Sequence, residues 1–185
     1  MPTIFGHAFA AAALGSSFPS KITSRKFWLL GMGCAILPDA DVLAFSIGIP
    51  YNHILGHRGF SHSILFALIT GLVVTFLFFR KDLTPKRAFA YVLFFTVCTA
   101  SHGILDALTS GGLGIAFFFP WDNTRYFMPW RPIKVSPLEM DHFISEWGKR
   151  VIYSELFWIG GPGLIWIILS RGVKKWAART MKKDA

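Results

Sequence analysis

Seven side chains suited to gripping a divalent cation lie along this chain: His7, Asp39, Asp41, His57, His62, His102 and Asp106. All but the pair in the HRGFSHS run, His57 and His62, fall inside apolar stretches, where an isolated carboxylate is expensive. A shared cation would satisfy acids and imidazoles together. His102 and Asp106 are four residues apart, so a helix would carry both on one face. Asp39 and Asp41 are two apart, which a regular helix would turn to different sides. Pro38 removes a backbone donor just before them, so Pro38-Asp39-Ala40-Asp41 reads as a break whose acids both turn inward. Broken backbone is tolerated at membrane depth where it lines a protein cavity. His57 and His62 flank Gly59, which allows a turn, and Ser61 is an expected helix N-cap. Seven ligands exceed the three that a catalytic zinc takes from protein, so one or two ions are expected, with two favoured. Mixed His and Asp ligation points to zinc, with manganese or iron as alternatives, and away from calcium.

The elements holding these residues are apolar blocks at 4–18, 27–50, 63–79, 88–108 and 151–170. Hydrophobic residues make up 53% of the 185-residue chain, and the mean hydropathy is +0.48. Together these predict an all-α, polytopic integral membrane protein of four to five transmembrane helices, one of them broken at Pro38-Asp39-Ala40-Asp41, forming a single domain over 1–185. The first block is short, which suits a re-entrant or tilted segment. No Lys or Arg precedes it, unlike a secretory signal, so it is expected to stay in the mature protein. Cys34 and Cys98 lie in apolar stretches with no CxxC spacing and imply neither a disulfide framework nor a thiolate site.

The net charge of +9 comes from Lys and Arg that flank the apolar blocks. Their distribution predicts contact with anionic membrane lipids and no nucleic-acid partner. Thirteen of the nineteen cluster at 21–26, 80–87 and the tail 171–185, which places those regions and the C-terminus on the cytoplasmic side. The loops 51–62 and 109–150 then face outward. Counting from the cytoplasmic end of each block at 1.5 Å per residue, His7 lies about 16 Å deep, Asp39 about 18 Å, Asp41 and His102 about 21 Å, and Asp106 about 27 Å. The ligands therefore converge on one slab toward the outer side. The aromatic run 117–132 suits a headgroup-level segment, with Trp121, Trp130 and Trp147 as membrane-belt residues.

Arg58, beside His57, is read either as a bidentate phosphate clamp or as a headgroup anchor. Glu155 is a candidate general base or outer-shell carboxylate, its plainer reading being an interfacial residue. His53 and His142 are expected in solvent. No basic residue lies in the apolar segments that hold the acids, which favours a cation over buried ion pairs. The chemistry expected is hydrolysis assisted by one or two ions, with Asp41 as proton acceptor and Arg58 and Arg125 on phosphate. The outward slab makes a lipid or lipid-linked phosphoester the expected substrate. The rivals are a small ion or metal transporter, for which no inverted repeat is visible, and a purely structural metal site.

The motifs Gly6-His7, LPDAD at 37–41, HRGFSHS at 57–63 and SHGILDALTSGG at 101–112, in this order on apolar segments, resemble those of the YdjM-like family of bacterial and archaeal inner-membrane proteins, described as metal-dependent hydrolases. The resemblance covers roughly 3–125. It implies an integral membrane fold and a metal-dependent hydrolase activity, with the family's polar positions falling on His7, Asp39, Asp41, His57, His62, His102 and Asp106.

Overall fold

A computed structural model describes residues 1–136 and 145–183; His142 lies outside them. Among the described residues the regular elements are helical, and β pairing is limited to isolated bridges from Thr109 to Ile133 and from Ile115 to Tyr126. The helices are α1 (Ile4–Gly15), α2 (Arg25–Ile36), α3 (Ile64–Phe79), α4 (Pro85–Ala107), α5 (Glu146–Glu155) and α6 (Gly161–Lys183). Helix α2 continues as a 3₁₀ segment over Leu37–Ile47, and α5 joins α6 through a π turn at Leu156–Gly160.

Each helix from α1 to α5 starts at a hydroxyl that accepts a backbone N–H: Thr3, Ser24, Ser63, Thr84 and Ser145. The cap of α3 is thus Ser63 and not Ser61, because Phe60–His62 forms a separate 3₁₀ turn that delays the helix. Pro38 falls at the first turn of the 3₁₀ segment, where its missing N–H is tolerated and the helix tightens without ending.

Among the described residues, three stretches are long and apolar enough to cross a membrane: Arg25–Ile47, Pro85–Ala107 and Glu146–Thr180. The shorter α3 returns antiparallel to α4 through the tight turn Arg80–Asp82. At 12 residues, or about 18 Å, α1 falls short of a ~30 Å hydrocarbon core. Four to five crossings fit this set. Helices α2 and α4 run side by side, with α1 against both, α3 against α4 and α6 against α1. Large apolar residues on α3 and α6, among them Val73, Leu77, Leu164 and Ile168, remain exposed, as lipid-facing surfaces require.

The half nearer Lys26 and Phe79 has an aromatic core. Phe27 stacks on Phe94 with ring centres 3.8 Å apart, and Phe79 stacks on Tyr91 at 4.3 Å. Gly31 permits this approach, since a Cβ there would lie 2.5 Å from the Phe94 ring. The other half of α2 and α4 holds the polar residues.

Candidate metal centre

The fold draws the sequence-selected ligands from α1, the 3₁₀ segment, the 57–62 loop and α4 into one buried cluster. His102 projects from α4 and is fully buried; its Nδ1 lies 2.7 Å from Ala35 O on α2. A carbonyl only accepts, so Nδ1 carries the proton and Nε2 presents a lone pair inward. That Nε2 lies 3.2 Å from Asp39 Oδ1 and 3.1 Å from His62 Nε2. One turn further along α4, Asp106 Oδ2 lies 3.7 Å from His62 Nε2. Asp39, His62, His102 and Asp106 each offer a ligand atom within 4.8 Å of the others, and all four are buried.

A second group shares one member. Asp41, His57 and His62 also offer mutually close ligand atoms. Asp41 Oδ1 lies 2.6 Å from His57 Nδ1, and Asp41 Oδ2 lies 3.2 Å from His62 Nδ1. Ser61 donates its hydroxyl to Asp41 Oδ2 at 2.5 Å. Burial holds the His62 imidazole below its ordinary pKa, while Asp41 pulls the other way. His7 stands beside the four-residue group instead of inside it. Its ring stacks on His102 at 3.8 Å, and its Nε2 lies 3.5 Å from Asp106 Oδ1.

These residues fit a cation. Both oxygens of Asp39, both of Asp106 and both ring nitrogens of His7 are buried without a hydrogen-bonding partner, although native structures almost always pair such groups. Two carboxylates and the His102 lone pair aimed at one point repel one another unless positive charge lies between them. The oxygen and nitrogen donors match zinc, manganese or iron.

Arg58 supplies part of that positive charge, which the sequence reading missed. It is 1% exposed, so it is no headgroup anchor. Its Nε lies 3.0 Å from Asp106 Oδ2, while its terminal nitrogens donate to Gly111 O at 2.7 Å and Thr109 Oγ1 at 3.2 Å. The expectation that the acids lack a basic partner therefore fails for Asp106. The partner comes from a loop and not from a helix. Arg58 has φ of 67°, a left-handed backbone that a large side chain adopts only under constraint. The constraint is visible: Arg58 N donates to Asp41 Oδ2, Arg58 O accepts from Ala116 N, and the guanidinium is tied as above. Gly112, itself at φ 93°, leaves the space, because a Cβ there would collide with the guanidinium. The Ser-Gly-Gly run after the α4 motif was the available signal for this pocket.

Arg125 is similarly engaged, donating to the carbonyls of His57, Tyr51 and His53, so it clasps the two outer loops together. Those bonds occupy both terminal nitrogens and leave no free fork for phosphate. His53 is exposed, with Nδ1 accepting from Leu55 N. Glu155 is 8% exposed and belongs to neither ligand group; both its oxygens accept from Thr3, one from the backbone and one from the hydroxyl. It is buried against Thr3 and stands apart from the histidines. Trp121, Trp130 and Trp147 are exposed, with Trp147 donating to Val135 O.

The family model for YdjM inner membrane protein matches residues 1–178. The chain belongs to the YdjM family. It is 39% identical over 168 residues to inner membrane protein YbcI of Escherichia coli (strain K12), an alignment covering 89% of this chain and 94% of that relative. No solved structure matches it. As a YdjM-family member with several candidate spans, it is a multi-pass inner membrane protein carrying a His and Asp cluster suited to a metal ion.

Proposed function

We propose that this protein is a metal-dependent hydrolase working from the outer side of the membrane on a phosphoester of a lipid or lipid-linked substrate. The observation that carries the reading is the meeting of four buried ligand atoms from Asp39, His62, His102 and Asp106, with the Asp39 oxygens accepting no hydrogen bond and Asp106 ion-paired to Arg58. These four would hold the ion, with zinc the first choice. A bound divalent cation supplies Lewis acidity, stabilising charge on an attacked oxygen and lowering the pKa of water. Asp41, outside the four-residue group, is the base; His57 and Ser61 fix its two oxygens. Arg58 acts as a positioning residue that orients Asp106, since its guanidinium is committed inside the protein. The basic ends of α2, α3, α4 and α6 lie opposite the polar centre, which supports a cytoplasmic C-terminus and an outward-facing site.

The test is metal analysis of detergent-purified wild type, Asp39→Ala and His102→Ala, followed by assays on phosphodiesters and phospholipids. Metal in the wild type, its loss in both variants, and hydrolysis that follows the metal are expected. A loaded wild type that cleaves none of these substrates would overturn the hydrolase reading. A second reading, a structural cation, draws on the near-complete burial of the four ligands, since structural sites are closed. It predicts that chelation unfolds the protein and that no exogenous ligand, such as cyanide or phosphate, perturbs the spectrum of a cobalt-substituted form.

A further inference from the structure

An apolar cleft of about 720 Å³ runs between α1 and the continuous α5–π–α6 rod. Its walls include Phe5, Phe9, Ile152, Leu156, Ile159 and Leu164. Thr3, Gly6 and Glu155 also line it; of these, Thr3 and Glu155 bring the polar groups. They sit where α1 begins, the end nearer the His and Asp cluster. Thr3 shares a helical stripe with His7, whose N–H bonds Thr3 O. The cleft is therefore apolar along most of its length, with a single polar pair, Thr3 and Glu155, at the end that adjoins the metal centre.

Within the sequence Gly160-Gly161-Pro162-Gly163, the first two glycines line this space. Pro162 cannot donate to Trp158, and the rod widens into the π turn just before it, a feature that often marks function. Gly163 has a packing reason, because a Cβ there would come within 2.5 Å of the Phe9 ring. Gly160 and Gly161 have none: a Cβ on either meets nothing closer than 3.7 Å and 4.0 Å respectively. Weak helix formers with no neighbour to spare them leave room for something that is not protein.

We propose that this cleft binds one acyl chain of the lipid whose phosphoester is presented to the metal centre. Lipid is the occupant that the surroundings supply, because one wall belongs to a stretch long and apolar enough to cross a membrane, the other is the short apolar α1, and both expose large apolar side chains such as Phe5, Leu156 and Leu164. From Ile152 to Leu164 the rod covers about 18 Å, against about 15 Å for one leaflet of a ~30 Å hydrocarbon core. A chain lying along it would bring its glycerol end to Thr3 and Glu155, one helical turn from His7. The assignment of that lipid as substrate rests on the hydrolase reading above; the acyl site itself does not.

The experiment uses the full-length protein in nanodiscs of phosphatidylethanolamine and phosphatidylglycerol doped with a phosphatidylethanolamine bearing an acyl-chain diazirine. After photolysis, peptide mapping should show adducts on Phe5, Phe9, Ile152 and Leu164 several-fold above those on the exposed α3 residues Val73 and Leu77. Gly160→Leu, which fills the cleft from behind, and Leu164→Trp, which fills it from the lipid side, should each remove that excess while retaining the metal content of the wild type. Labelling of the cleft no stronger than that of α3, or undiminished in both variants, would overturn the proposal. In parallel, the ratio of kcat/KM for a long-chain over a short-chain phosphoester should fall at least roughly tenfold in the variants, the low end for one mismatched methylene in an apolar pocket. If the wild type hydrolyses neither ester, the hydrolase reading fails, and the labelling pattern alone decides the cleft.

Discussion

Helices α2 and α4 are filled in two contrasting ways along their length. Toward Lys26 they enclose Phe27, Phe79, Tyr91, Phe94 and Phe95, a core of stacked and tilted rings with the buried thiols of Cys34 and Cys98. Toward Asp39 and His102 the same helices enclose imidazoles, carboxylates and a guanidinium. In lipid the apolar half gains from close packing and not from escape from water, because the surrounding tails are equally apolar. The polar half is held by charge that has nowhere else to go. In the polar half, the costliest loss is of one partner of the buried Arg58–Asp106 pair, which leaves the other charge stranded.

That contrast can be broken by substitution. Asp106→Ala should have the largest effect, about 3–5 kcal/mol, because it strands the Arg58 guanidinium in a buried site. Thermal unfolding in detergent measures it. Arg58→Met combined with Asp106→Leu should recover most of that loss while leaving the protein unable to take up metal. Phe94→Ala should destabilise by about 3 kcal/mol, the lower end for a buried ring, with metal stoichiometry unchanged. If Phe94→Ala also emptied the centre, the two halves would not be separable. Gly112→Ala should cost about 1–3 kcal/mol through its left-handed backbone and the displaced Arg58, and weaken metal binding with it. Ser61→Ala removes one donor to Asp41 and should lower metal affinity about 10- to 100-fold, as lost outer-shell partners do, leaving the melting curve nearly intact. The smallest effect belongs to Asp122→Ala in the outer loop, where an exposed carboxylate accepts from Thr124 N and the Tyr126 hydroxyl. These bonds hold its pKa below the usual carboxylate range, and its loss should shift the melting point least of all.

Much of the centre was legible in the sequence because its cause is local. Imidazoles and acids in apolar runs announce themselves, and the four-residue spacing of His102 and Asp106 is a helical property. The helices were legible for the same reason. Arg58 was not, since its inward turn depends on Thr109 and Gly111, 51 and 53 residues away, and on a backbone conformation that no propensity predicts. Glu155 and Thr3 are paired across 152 residues, so no spacing rule could join them. The misplaced cap at Ser61 has a similar origin: its hydroxyl went to Asp41, leaving Ser63 to begin α3.

His62 belongs to both ligand groups through opposite edges of a single ring, Nδ1 toward Asp41 and Nε2 toward His102. A neutral imidazole has only one hydrogen to allot between those edges. An ion held by the inner group through Nε2 would commit that hydrogen to Nδ1 and so tighten the grip on Asp41. Loading both groups together would require the ring to become an anion. With an ion in the deep group the ring would act as an interlock, coupling that group's occupancy to how firmly Asp41 is restrained.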